Sequence, residues 1–277
     1  GKVMGLAPLG KDNFSSLFDH MVTLTGTGVR LNLDYFQPFG SNQGMIMNED
    51  GTTHLSQHYS NKLKQVLGEP RLPDTEITER DKDLAHSLQV RFESTYFHLV
   101  NHLHRMVPQD QMVMAGGCVL NSVANGKLFH KTPFSATCIQ PAAGDDGLAL
   151  GSALYVSNAT LGEDRRWVMK NASLGSSYSD FEIETVLDKL TVNYIRLDRE
   201  SLLDRTAQEI SAGKIIGWFQ GRMEWGPRAL GNRSILTHPG LPEMKDTLNA
   251  RIKHRESFRP FAPAVLAERQ ADIFSES

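Results

Sequence analysis

Apolar residues Leu84, Leu88, Phe92, Leu99, Leu103 and Met106 recur at helical spacing, which predicts one long amphipathic helix over residues 81–106. Before it, residues 29–36 alternate apolar and polar over a strand length, with Arg30, Asn32 and Asp34 on one face. Residues 43–80 are polar and carry little periodicity, although they include His54 and His58. After the long helix a short buried strand is expected at 111–115, running into Gly116-Gly117 and then a helix at 119–128. The pattern repeats: a strand at 137–140 meets Pro141-Ala-Ala-Gly-Asp-Asp-Gly and continues into a helix at 148–156. Strand, glycine turn and helix occurring twice predicts an α/β domain with its loops gathered at one sheet edge.

Residues 157–180 turn to Ser, Asn, Gly and charged side chains, and a domain boundary is placed near 170. A helix over 179–190 follows, with Ser179 as N-cap and Glu182 three residues on. A second helix at 202–212 stops at Gly213, and a buried strand at 214–219 delivers the chain to its most basic segment.

That segment changes the picture. Residues 222–259 contain eight Lys/Arg and four Asp/Glu, whereas the 277-residue chain carries a net charge of −3. Such local charge is either a solvated face or a site for a small, highly charged anion. Interruption by Trp225, Pro227, Leu230 and Ile235 favours a partly buried turn, and arginine forks with freed backbone N–H groups suit phosphate oxygens.

The other chemistry is sparser. Gly116-Gly117 between strand and helix serves either close approach to an anion or tight packing. The Asp145-Asp146 pair could hold a metal, order water on a phosphate, or cap the next helix. The His54/His58 and His98/His102 pairs are set aside as metal ligands. There is no Walker A loop and no Gly-x-Ser-x-Gly elbow. With 40% hydrophobic residues and no long apolar run, a globular chain without a membrane span is expected. Cys118 and Cys138 sit in apolar surroundings and are expected to be buried free thiols in a reducing cytoplasm.

Four segments resemble the carbamoyltransferase family of nodulation-factor and antibiotic O-carbamoyltransferases. They are Gly-Lys-Val-Met-Gly-Leu-Ala-Pro, Ala-Gly-Gly-Cys-Val-Leu-Asn-Ser-Val-Ala-Asn-Gly-Lys, Gln-Pro-Ala-Ala-Gly-Asp-Asp-Gly-Leu-Ala-Leu-Gly and Gly-Trp-Phe-Gln-Gly-Arg-Met-Glu-Trp-Gly-Pro-Arg-Ala-Leu-Gly-Asn-Arg-Ser-Ile-Leu. The resemblance implies α/β architecture in two parts. Residues 1–170 would be a Kae1-like carbamoyl-transfer domain of the actin/hexokinase-type ATPase fold, lacking its N-terminal part. Residues 171–277 would be the first part of a YrdC-like domain that forms carbamoyl adenylate. The implied substrates are carbamoyl phosphate, ATP with Mg2+, and a hydroxyl-bearing acceptor. The implied cofactor is iron or another divalent metal.

By the same resemblance, Arg228 and Lys253, with Arg259, bind phosphate and carbamoyl groups, and Arg222, Arg233, Ser234 and Arg255 stand beside them. Gly116, Gly117, Asn121 and Gly144 form the nucleotide cradle, Asp145 is a metal ligand, and Asp34 lies near the acceptor hydroxyl. The family's metal-binding histidines have no counterpart in this sequence, so an internal fragment with incomplete catalysis is expected. Two other readings compete. One is a hydrogenase-maturation carbamoyltransferase acting on a protein thiol. The other is a YrdC-like RNA-binding module, which the local confinement of basic charge disfavours.

Overall fold

The computed structural model describes residues 1–37, 45–55, 57–72 and 75–274, without the side chains of residues 45, 46, 54 and 55. The chain is mixed α/β and forms two compact units. One comprises Gly1–Val113 with Asn121–Cys138, the other Met114–Leu120 with Ile139–Ser277. The boundary expected near 170 falls inside the second unit.

In the first unit, α1 (Lys2–Leu6) and α2 (Ser15–Met21) lead into the antiparallel pair β1 (Val22–Leu24) and β2 (Val29–Leu31). A second antiparallel pair, β3 (Met45–Met47) and β4 (Thr53–Leu55), precedes α3 (Asn61–Leu67). The long helix α4 (Glu79–Met106) starts two residues before its expected position, because Thr78 and Asp81 form a reciprocal capping box. It organises what precedes it. The Asp83 carboxylate accepts from Lys11 N (2.7 Å) and Asn13 Nδ2 (2.7 Å), and the buried Ser87 hydroxyl accepts from Phe14 N (3.0 Å). Those donors hold the Asp83 carboxyl below its ordinary range. A small core of Phe18, Met21 and Tyr35 collects Phe14, Leu17, Leu63 and Leu84 around it.

The strand expected over 29–36 is shorter. It ends at Leu31, and the chain then turns, with Tyr35 N donating to Asn32 O (3.1 Å). The expected strand at 111–115 is β5 (Gln111–Met114), which pairs with β6 (Ala136–Ile139). It is not buried on both faces: Met112 is enclosed, but Val113 is 83% exposed. The single helix expected over 119–128 is broken into a 3-10 turn at Gly117–Leu120, α5 (Ser122–Asn125) and α6 (Leu128–Lys131). Asn121 restarts the helix by capping it, and Gly126 ends α5. Both cysteines are exposed, contrary to expectation. Cys118 lies in the 3-10 turn, and Cys138 lies on the half-exposed β6 of a two-stranded sheet, which supplies no second layer to cover it.

The second unit continues with α7 (Leu148–Tyr155), whose last turn widens into π-helix at Val156–Thr160, then α8 (Asp180–Lys189) and α9 (Arg199–Ser211). Ser179 and Glu182 make the expected capping box on α8, while Asp198 caps α9 and starts it three residues early. Gly213 follows α9 with φ of +78°, a left-handed conformation that favours glycine. Strand β7 (Ile216–Phe219) then pairs antiparallel with β8 (Arg233–Leu236), with Phe219 opposite Arg233. Only alternate residues of β7 are half-buried, so it is not the fully buried strand expected. Helix α10 (Met244–Arg251) turns Met244, Leu248 and Asn249 inward. No helix among the described residues is long and apolar enough to cross a membrane.

Candidate functional site

The second unit gathers three of the singled-out segments. Gly116 N donates to Ala143 O (2.6 Å), which ties the glycine turn after β5 to the Pro141–Gly147 turn. A side chain built on Gly144 would reach van der Waals contact with Gly117 Cα at 4.0 Å. Gly226, in the loop between β7 and β8, has φ of +110°, and a Cβ there would meet Pro141 O at 3.2 Å and Ala142 Cβ at 3.3 Å. The arginine loop therefore rests directly on the Pro-Ala-Ala turn, and only glycine permits both the conformation and the approach.

One buried carboxylate shapes that loop. Glu224 is 6% exposed, and its Oε1 accepts from Leu230 N (2.8 Å), Asn232 N (2.6 Å) and Arg233 N (3.3 Å). Its Oε2 is buried with no hydrogen-bond partner among the described residues. Burial pushes the Glu224 carboxyl up, but the N–H groups of Asn232 and Leu230 outweigh it, and the balance lies below the ordinary range. The loop is also laced to residues 172–176: Trp225 N donates to Ala172 O (2.7 Å), Met223 N to Ser176 O (3.0 Å), and Asn232 Nδ2 to Ser173 Oγ (2.8 Å). Arg222 is part of this lacing. Its Nε donates to Gly175 O (2.8 Å) and its Nη2 to Leu174 O (3.0 Å). Ser234 Oγ accepts from Gly231 N (3.1 Å), while Arg228 and Arg233 are exposed.

A second basic loop follows α10. Asn249, 1% exposed, donates from Nδ2 to Ser257 O (3.2 Å) and Arg259 O (2.9 Å) and accepts at Oδ1 from Arg255 Nε (2.7 Å). Arg255 Nη2 reaches Pro260 O (3.3 Å), and its guanidinium lies 4.6 Å from the Phe261 ring centroid. Burial lowers the Arg255 pKa first, the charge of Arg259 lowers it further, and Arg228 adds to that, with Glu256 opposing. Arg228 of the first loop and Arg259 of the second thus both act electrostatically on Arg255. Glu256, 3.7 Å from Arg259 Nη1, is the acid that opposes them. Lys253 is exposed at the start of this loop.

The remaining candidates fall elsewhere. Asn121 belongs to the first unit, where it exchanges two hydrogen bonds with the buried Gln89 (2.9 and 3.1 Å) and caps α5 through Ala124 N. Asp34, also in the first unit, is paired with Lys62 Nζ at 2.6 Å on an exposed surface. Asp145 is exposed in a 3-10 turn, and neither it nor Asp146 caps the following helix. Among the described residues no three His, Cys, Asp or Glu side chains gather as a metal site, and the His54 side chain lies outside the described residues. A cavity of about 1030 Å³ in the second unit is lined by Tyr155, Asn158, Glu163 and Trp167 and contains none of the basic-loop residues. Reading the sequence missed Glu224 and Asn249. Glu224 was visible as the lone acid within the arginine run, whereas Asn249 gives no signal in an ordinary helical stretch.

Family models described as carbamoyltransferase N-terminus and carbamoyltransferase C-terminus match residues 1–154 and 207–277. An uncharacterized protein of Synechocystis is 39% identical over 99% of this chain and 44% of its own length. Nodulation protein NolNO of Sinorhizobium fredii is 35% identical over 99% of this chain and 37% of its own. The 3'-hydroxymethylcephem-O-carbamoyltransferase of Streptomyces clavuligerus is 33% identical over 60% of this chain and 30% of its own. The chain spans less than half the length of these relatives. With more than half of its residues matched by the N-terminal model and both models in order, the chain belongs to the carbamoyltransferase family.

Proposed function

We propose that this chain is part of an ATP-using O-carbamoyltransferase, and that its two basic loops bind the phosphates of carbamoyl phosphate and ATP. The observation that carries the reading is the cluster of Arg228, Arg255 and Arg259, three guanidiniums opposed by Glu256. Like charges held together are relieved by a bound polyanion, and arginine forks match phosphate oxygens in geometry as well as sign. Lys253 joins them as a mobile point charge. Gly116, Gly117 and Gly144 offer backbone close enough to cradle a nucleotide, whereas Asn121 would have to release Gln89 to take part.

In this reading water cleaves carbamoyl phosphate to carbamate and inorganic phosphate, and a carbamate oxygen attacks the α-phosphorus of ATP to give carbamoyl adenylate and pyrophosphate, a nucleotide on which Mg2+ would balance the phosphate charge. The acceptor hydroxyl then loses its proton and attacks the carbamoyl carbon, forming the carbamate ester as AMP leaves. Residues 171–277 take the YrdC-like, adenylate-forming part and residues 1–170 the Kae1-like transfer part. Asp34 is the acid assigned near the acceptor, where it would first have to leave Lys62. The name of one relative, a 3'-hydroxymethylcephem-O-carbamoyltransferase, supports a hydroxyl acceptor.

The full-length protein is expected to exchange labelled pyrophosphate into ATP only when carbamoyl phosphate is present. Exchange without carbamoyl phosphate, or none with it, overturns the reading. Asp145, assigned toward iron or another divalent metal, gives a separate check. Elemental analysis of full-length Asp145→Asn should show less bound iron, with exchange unchanged. Undiminished iron removes Asp145 from the ligand set.

A further inference from the structure

We propose that Asn249 is a positioning residue for the anion site, an uncharged clasp that aims Arg255 and fixes the backbone at 255–259 without neutralising the guanidinium. The inference rests on the phosphate-binding part of the reading above. It does not depend on carbamoyl chemistry.

The Arg255 guanidinium is held by Asn249 Oδ1, Pro260 O and the Phe261 ring, all of them uncharged. A partly buried guanidinium is ordinarily paired with a carboxylate, which returns the cost of desolvation as Coulomb attraction. Here the nearby charges are mostly of its own sign, Arg259 and Arg228, with Glu256 already beside Arg259. The positive charge at Arg255 is therefore held in place by neutral partners and answered only in part, by Glu256.

Asn is suited to this task in a way its neighbours in size are not. Its carbonyl accepts from Arg255 Nε, while its NH2 donates to the carbonyls of Ser257 and Arg259. Asp would keep the acceptor, lose both donors and add an opposing charge, and Leu would fill the space with neither function. The backbone carbonyl of Asn249 also accepts from Arg255 N (3.0 Å), so one residue of α10 holds the loop at Arg255, Ser257 and Arg259. Arg255 Nε and Nη2 are engaged by Asn249 Oδ1 and Pro260 O, which leaves Nη1 as the fork position that a phosphate oxygen would take in this proposal.

The test is calorimetric titration of the full-length protein with inorganic pyrophosphate. Asn249→Asp should bind about tenfold or more weakly, the value of one charge-assisted contact. Arg255→Lys, which keeps the charge but cannot make the Nε bond, should weaken binding about as much and guards against misfolding of the first variant. In an Arg255→Ala background, Asn249→Asp should cost clearly less than in the wild type, a coupling that a merely structural role would not produce. Wild-type affinity in both Asn249→Asp and Arg255→Lys overturns the proposal, as does additivity in the double variant. No pyrophosphate binding by the wild type overturns this proposal and the phosphate site together. Asn249-dependent binding without carbamoyl-phosphate-dependent exchange leaves the clasp standing and removes the carbamoyl reading.

Discussion

The two basic loops of the second unit are each built on one buried polar side chain, but of opposite character. Under the 222–233 loop sits a carboxylate, Glu224, whose Oε1 gathers three backbone N–H groups. Under the 252–260 loop sits a neutral amide, Asn249, which gathers two carbonyls and a guanidinium. A carboxylate can collect donors only, so it suits a loop whose unmet groups are N–H. An amide works in both directions and adds no charge. The difference means that neither clasp uses its charge against the arginines that face out.

The comparison breaks first at Glu224. Glu224→Leu leaves three part-buried N–H groups without their acceptor, at a local cost of about 3 kcal/mol. Amide exchange at Leu230, Asn232 and Arg233 should then quicken about 100-fold, and unchanged protection would show that the carboxylate does not hold the loop. Asn249→Leu should have a smaller effect, about 2 kcal/mol, because carbonyls tolerate a missing partner better than N–H groups. Faster amide exchange at Arg255 and Arg259, with no change at 230–233, would confirm that the two clasps act independently.

Acid should separate the loops further. Because the Glu224 carboxyl is held below its ordinary 4.5, its stabilisation is fully present above that value and is lost as pH falls through the lowered one. Protection at 230–233 should therefore decline below about pH 4.5. Asn249 has no proton to gain, so the contacts it makes at 255–259 should not weaken over the same range. Equal acid sensitivity of the two loops would contradict the assignment. The smallest effect is expected at Arg222, whose fork is engaged by Gly175 O and Leu174 O. Arg222→Lys should change pyrophosphate affinity less than about threefold, within the range of a surface change, and a larger loss would make it a ligand.

Much of this could be read from the chain beforehand. The long helix, the Ser179-capped helix and a strand after Gly213 follow from local signals: apolar periodicity, Ser179 with Glu182 three residues on, and a glycine at a helix end, whereas the Thr78 cap and the pairing of that strand with Arg233–Leu236 went unread. Charge density alone pointed to residues 222–259. What could not be read depends on tertiary context. The helix expected at 119–128 breaks because the Asn121 amide binds Gln89, 32 residues away in sequence. Cys118 and Cys138 have apolar neighbours in sequence, but nothing packs over them. Arg222 looks like Arg228 in the sequence, and only the carbonyls at 174 and 175 tell them apart.

The central claim is that both loops serve one site for carbamoyl phosphate and ATP. The most direct measurement is carbamoyl-phosphate-dependent ATP–pyrophosphate exchange in full-length Arg228→Ala and Lys253→Ala, one change in each loop. Each should raise the half-saturating carbamoyl phosphate or ATP concentration about ten- to hundred-fold, the loss of about 1.5–3 kcal/mol from one charge-assisted contact. Wild-type exchange in either variant, with the protein still folded, would contradict a single shared site.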